Sequence, residues 1–201
     1  FYFDSDVIRN ELTTRLSLFG SRMTNIIIKE VPPRTLSTNA LRTMLDGYEQ
    51  AENFIPDLLI VDSFYMLKDQ HSEYRISLGR NMEDLRAIAV ERNIAVVASH
   101  QLSKEGAKAK VPTAKNIGED WSIAQTADVV IIHAATDAER KYGLARLYAD
   151  KVRGAKDKFA CLISQSYDIG QYCLQSFPLQ KSYWDLDLMD DEDVEGDVDE
   201  E

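Results

Sequence analysis

The sequence predicts an open α/β fold: a mostly parallel sheet flanked by helices, with antiparallel strands closing an edge toward the C-terminus. Three observations lead there. The run Pro56-Asp57-Leu58-Leu59-Ile60-Val61-Asp62-Ser63 is bulky and apolar until it stops on an acid, as a strand buried on both faces of a parallel sheet reads. A helical repeat and a second short apolar run follow it, the spacing of a right-handed strand-helix-strand crossover. Farther on, Leu144 to Lys151, Phe159 to Gln165 and Tyr172 to Gln175 read as antiparallel strands.

Taken in order, Phe1-Tyr2-Phe3 reads as the end of a buried strand whose beginning is missing, which predicts that this is the C-terminal part of a longer protein. A helix from about Asp6 to Phe19 follows, with Ile8, Leu12, Leu16 and Phe19 recurring every three or four residues. Asn25 to Lys29 contains the β-branched run Ile26-Ile27-Ile28. Thr38 to Gln50 is helical, with Ser37 at the N-cap position. After the Asp62 strand, a polar loop with Asp69, His71 and Arg75 leads into a helix through Leu78, Met82, Leu85 and Ala89. The strand Ile94 to Ala98 comes next, then a second long loop, and Ala127 to His133 forms another strand. His133 reads as a strand-end core residue, and no histidine has metal-ligand spacing.

The formal charge of -11 belongs to one segment. Asp185 to Glu201 holds 11 acids and no base, so the preceding 184 residues balance 23 acids against 23 Lys and Arg. Residues 1–181 therefore read as one incomplete core and 182–201 as an acidic tail that cannot offset its ordering entropy and stays disordered. Cys161 and Cys173 read as two reduced thiols of an intracellular protein. No stretch of 18 apolar residues or signal peptide occurs, so nothing sends the chain into a membrane.

In open α/β sheets, ligands bind beyond the carboxyl ends of the strands, which is where Asp62 falls. In a nucleoside-triphosphate hydrolase, an acid at that position orients Mg²⁺ and its water shell. The phosphate-cradling loop G-x-x-x-x-G-K-[ST] is nowhere in the sequence. Gln101, just past the neighbouring strand, is placed either to hydrogen-bond a γ phosphate or to cap a turn. Lys104, Lys108, Lys110 and Lys115 lie in a loop poor in large side chains, which suits either single-strand phosphates or plain solvent. Lys151 and Arg153 alternate along a strand end and point the same way, as an arginine finger acting in trans requires and as a solvated edge strand also allows.

In order and spacing these pieces resemble the C-terminal RecA-like ATPase domain of hexameric replicative helicases of the DnaB type, especially those of tailed phages. The resemblance covers about residues 1 to 180. It implies an ATP-hydrolysing DNA helicase that uses Mg²⁺, works as a homo-oligomeric, hexameric ring on single-stranded DNA, and lacks here the phosphate loop that lies upstream. Phe3-Asp4-Ser5-Asp6, followed by Leu12 and Arg15, holds the place of the acid that activates the attacking water. The family usually has Glu there, so Asp6, or Asp4 in another register, is the candidate base. Asp62 matches the metal-side acid, Gln101 the γ-phosphate sensor, and Lys151 with Arg153 the Lys-x-Arg pair that reaches the neighbouring subunit's nucleotide. The loops at 68–75 and 103–115 match those lining the central channel, implicating Lys68, Arg75, Lys104, Lys108, Lys110 and Lys115 in DNA contact. Primase, a helicase loader or a polymerase are candidate partners of the acidic tail, and the implied location is the cytoplasm, the host's if the chain is phage-encoded. Two rival readings stay open: a recombinase or clock-type ATPase of the same fold, and a RecA-like interaction scaffold without a phosphate loop.

Overall fold

Ser37 starts the first helix as its side chain predicts: its hydroxyl accepts the Ala40 N–H at 3.1 Å, and α1 (Thr38–Glu52) runs until Asn53 turns left-handed at φ 50°. The structure is a computed structural model that describes residues 25–103, 106, 113, 121–180 and 182–183. The expected N-terminal strand and helix, most of the Lys-rich loop and the acidic tail lie outside the described residues.

β1 (Leu58–Val61) and β2 (Ala95–Ala98) pair in parallel, Leu58 opposite Ala95 through Val61 opposite Ala98. Between them run a short 3-10 turn (Phe64–Met66) and the long helix α2 (Tyr74–Arg92), which Asn93 ends at φ 52°. The buried stripe of α2 is Ser77, Leu78, Asn81, Leu85 and Ile88, at the three-to-four spacing of one helical face. Leu78, Leu85 and Ile88 meet Leu41 and Leu45 of α1, with Phe64, Leu67 and Ile123, in the main core. Leu59, Val61, Val96 and Ala98 pack against this cluster. Each such large side chain, fully buried, contributes about 1.5–3 kcal/mol.

One expectation fails here. Strand β1 is not buried on both faces among the described residues: Leu58 and Ile60 remain 48% and 65% exposed, and Val97 of β2 53%. Side chains alternate along a strand, and α1 and α2 cover only one side of the pair. The run Ile26-Ile27-Ile28 likewise forms no strand, and Ile26 and Ile28 are exposed, since no described neighbour offers it a ladder.

A second sheet follows α3 (Trp121–Thr126). It is antiparallel in the order β3-β4-β5-β6, with β3 at Val129–Ala134, β4 at Leu144–Val152, β5 at Phe159–Ser166 and β6 at Gln171–Pro178. No ladder joins β2 to β3 among the described residues, and the packing of α2 on α3 links the two sheets. The short helix α4 (Asp137–Lys141) between β3 and β4 is held by a capping box between Thr136 and Glu139. Glu139 also pairs with Arg146 at 2.8 Å, both almost fully buried, and accepts the Tyr183 hydroxyl at 2.8 Å. Gly143 turns the chain into β4 at φ 64°, where an added Cβ would lie 2.7 Å from the Gln165 carbonyl. His133 is exposed rather than in the core, its ring 5.4 Å from that of Tyr172. Both cysteines are free. Among the described residues no helix is long and apolar enough to cross a membrane.

Candidate functional site

The parallel pair places its polar residues at one end. Asp62 immediately follows β1, and Ser99 immediately follows β2; the Ser99 N–H donates to the Val61 carbonyl at 3.1 Å, and its hydroxyl donates to Asp62 Oδ1. The Asp62–Ser63 peptide is cis. Gln101 stands two residues beyond Ser99, exposed. Between them, His100 Nδ1 lies 2.6 Å from the Gln101 carbonyl oxygen, which makes Nδ1 the protonated nitrogen. The ring packs against Phe64 and Tyr65 at 5.1 and 5.5 Å. Tyr65, Tyr74, Leu78, His100, Gln101, Leu102 and Ser103 line a cleft of about 330 Å³ here.

Asp62 is the one sequence-predicted metal ligand. Among the described residues no three His, Cys, Asp or Glu side chains gather around a common point. A single exposed carboxylate beside a hydroxyl suits Mg²⁺, which keeps most of its water and takes its other ligands from phosphate, and does not suit a metal needing a protein cage.

The loop after β1 is tied down at its middle. Gln70 Nε2 lies 2.6 Å from Asn81 Oδ1, 2.9 Å from Asp84 Oδ2 and 3.1 Å from Thr38 Oγ1, while its backbone N–H donates to Ser77 Oγ at 2.7 Å. Asn81, Ser77 and Thr38 are buried. The loop therefore has a fixed root in α1 and α2 and exposes Lys68, while Arg75, expected in the loop, lies exposed in the first turn of α2.

Lys151 and Arg153 lie elsewhere. One extra residue in β4, between the pairs Val130–Lys151 and Ile131–Ala149, makes a bulge at Asp150, which is buried and holds Lys158. Beyond it, Lys151 Nζ donates to the carbonyls of Ala124, Gln125 and Ala127 at 2.9, 2.8 and 2.7 Å, closing the end of α3. Burial, and then the charge of Arg153, lowers the Lys151 ammonium below the ordinary lysine range. All three of its donors are spent inside its own chain. Arg153 lies just past β4; its N–H donates to the Asp128 carbonyl at 2.8 Å and its Nε to Asp128 Oδ1 at 2.9 Å. Arg86 Nη2 lies 3.3 Å from the same oxygen. Glu83, Arg86, Ala87, Val90, Thr126 and Arg153 line a cleft of about 450 Å³.

Helix α2 measures the separation of the two ends. Tyr74 and Leu78 line the cleft at Gln101, and Arg86 and Val90 the cleft at Arg153. From Tyr74 to Arg86 is about 18 Å along the axis, at 1.5 Å per residue. Residues 8–159, which include Asp62, Gln101, Lys151 and Arg153, match the family model described as the DnaB-like helicase C terminal domain. The chain belongs to that family.

A DnaB-like replicative helicase of Enterobacteria phage T4 is 25% identical over 122 residues, which cover 58% of this chain and 26% of the phage protein. Two solved structures share the fold. One, an ATPase domain, matches at a TM-score of 0.60 with 17% identity, over 72% of this chain and 52% of that one. The other, a DnaB-like replicative helicase solved in a study of its interactions with primase, matches at 0.63 with 18% identity, over 79% and 40%. The chain thus spans about a quarter of the phage relative and about half or less of these two neighbours.

Within this DnaB-like domain the structure brings Asp62 and Gln101 to one end and Lys151 and Arg153 to another. Asp6 and Asp4, and Lys104, Lys108, Lys110 and Lys115, lie outside the described residues. Ser99, Asp128 and Arg86 touch the candidate residues Asp62 and Arg153 or their partner, and the sequence reading gives them no role. Ser99 carries a signal, since it ends the strand paired with that of Asp62. Arg86 and Asp128 carry none, because 42 residues separate them and only the packing of α2 on α3 brings them together.

Proposed function

We propose that this chain is the C-terminal part of a ring-forming, ATP-driven DNA helicase that moves along single-stranded DNA and hydrolyses ATP at subunit interfaces. The observation that supports this best is the separation along α2. Arg153 lines a cleft farther along α2 than the one at Gln101, a placement that suits a cation serving the nucleotide of a second subunit. Asp62 orients the hydrated metal, Gln101 meets the γ phosphate, and Asp6, or Asp4, takes the proton of the attacking water. Bound Mg²⁺ supplies neutralisation of phosphate charge. Arg153 stabilises the transferring group from the next protomer, and Lys151 adds positive charge while fixing the strand end that carries it. Lys68 on the tethered loop, Arg75 in the first turn of α2, and Lys104, Lys108, Lys110 and Lys115 contact DNA phosphates. The acidic tail offers a surface to primase, a loader or a polymerase.

The phosphate loop belongs to a segment upstream of this chain. Two features fit that: β2 and β3 share no ladder among the described residues, and Leu58 and Ile60 of β1, Val97 of β2, and Val129 and Ile131 of β3 are exposed apolar residues. The chain alone should therefore release no phosphate from ATP, and the gene's full product should do so with stimulation by single-stranded DNA. Turnover by residues 1–201 alone, lost on Asp62→Ala, contradicts the upstream placement. A full product that binds ATP but neither unwinds DNA nor is stimulated by it points instead to the clock-type or scaffold readings.

A further inference from the structure

Asp128 accepts two guanidinium groups on one oxygen. Arg153 Nε is 2.9 Å and Arg86 Nη2 3.3 Å from Asp128 Oδ1, and side-chain exposures of 53%, 52% and 43% for Asp128, Arg153 and Arg86 leave all three reachable from solvent. The cluster carries one more positive than negative charge, with Lys151 close by and committed to three carbonyls. Glu83 is the acid among the residues lining the cleft.

We propose that Asp128 is the resting place of Arg153 and that Arg86 is a positioning residue which keeps Asp128 neutralised when Arg153 swings to a nucleotide phosphate. The inference rests on the reading of Arg153 as a trans-acting cation. Two cations on one carboxylate make one of them surplus, so Arg153 can turn to another anion without exposing a bare charge to the incoming polyphosphate. The backbone bond from Arg153 N to Asp128 O, 2.8 Å long, holds the hinge while the side chain moves. A pair between half-exposed groups is weak, so release is easy. Without Arg86 it is less so, because the departing guanidinium then leaves Asp128 ionised beside the phosphates.

The test is a mutant cycle in the full-length protein, measured as single-strand-stimulated ATP turnover. Arg86→Ala should lower kcat about two- to fivefold, the scale of one exposed ion pair, with little change in nucleotide affinity. Arg86→Lys, which keeps the charge, should retain most turnover. Adding Asp128→Asn to Arg86→Ala should bring kcat back to within about twofold of wild type, because the charge that held Arg153 is gone. A merely structural ion pair can also be rescued by removing both partners, so the discriminating readout is that Arg86→Ala and its rescue change kcat while the urea midpoint of the protein stays that of wild type. Turnover unchanged by Arg86→Ala, or a double variant no faster than Arg86→Ala, overturns the proposal. Arg153→Ala is the control: if it leaves turnover intact, the trans-cation reading itself falls.

Discussion

Glu139, Arg146 and Tyr183 show how much one residue can fix. The buried carboxylate caps α4, pairs with Arg146 and receives the Tyr183 hydroxyl, so the last described residue before the acidic segment is docked against α4. Burial, and then the hydrogen bond to Glu139, pushes the Tyr183 phenol well above its ordinary value near 10. A group whose folded pKa is raised contributes stability below its unfolded pKa and loses it as pH rises through the folded one. Stability of the domain should therefore fall as pH climbs above about 10, the unfolded tyrosine value. Tyr183→Phe should flatten that fall. Urea midpoints at pH 8 and pH 10.5 for both proteins check it, and an identical loss in the variant rules Tyr183 out as the cause. Nothing in the sequence hints at this contact, because Glu139 and Tyr183 look like an ordinary helical acid and a tail residue until the turn at Gly143 brings β4 back beside α4. Ser37 is legible at the same scale, since a cap is a matter of three adjacent residues.

Helices and strands with local signals are legible in the sequence, and those needing distant partners are not. The apolar spacing along α2 and the run ending at Asp62 locate the parallel pair, and the short apolar segments after Leu144 locate the antiparallel sheet. The run at Ile26 has the same composition as a strand, yet a strand also needs a neighbour's edge, which sequence does not disclose. The loop between β1 and α2 makes the same point: Lys68 and Arg75 are visible as cations, whereas the knot of Gln70 with Asn81, Asp84 and Thr38 depends on two helices meeting. Gln70→Leu should free that loop. The expected result in the full-length protein is faster proteolytic cleavage near Lys68 and weaker single-strand binding, with nucleotide affinity kept; unchanged cleavage and binding mean that the knot does not position the loop. Replacing Lys104, Lys108 and Lys110 together by Ala should weaken single-strand binding equally across sequences. It should also flatten the salt dependence by roughly 0.7 per lost phosphate contact. An unaltered slope in a salt titration puts the DNA path elsewhere.

For the whole molecule, the most informative property is the placement of its two clefts along α2. Among the described residues, two sheets share no ladder and several apolar strand residues are exposed, and under the proposed function the cations at one end of α2 serve a site that another subunit finishes. The family and the fold are legible from the order of small signals along the chain. The proposed division of labour between Asp62 with Gln101 and Lys151 with Arg153 is legible there too, through the resemblance, whereas the ion cluster of Asp128 with Arg86 and Arg153 is not, because it depends on the packing of α2 on α3. The acidic tail adds a proposed partner surface at the same scale. Deleting residues 185–201 should spare turnover and single-strand binding but slow association with a basic replication partner at low salt, whereas Trp184→Ala should speed dissociation. Binding kinetics like wild type in both make the tail a solubility device. The central claim, that hydrolysis is shared between subunits, is tested most directly by mixing two inactive full-length proteins, Arg153→Ala and Asp62→Ala, under conditions where subunits exchange, and measuring phosphate release. Turnover should reappear in the mixture, because some interfaces then pair an intact Asp62 with an intact Arg153 from the next subunit. No recovery despite demonstrated exchange contradicts action in trans.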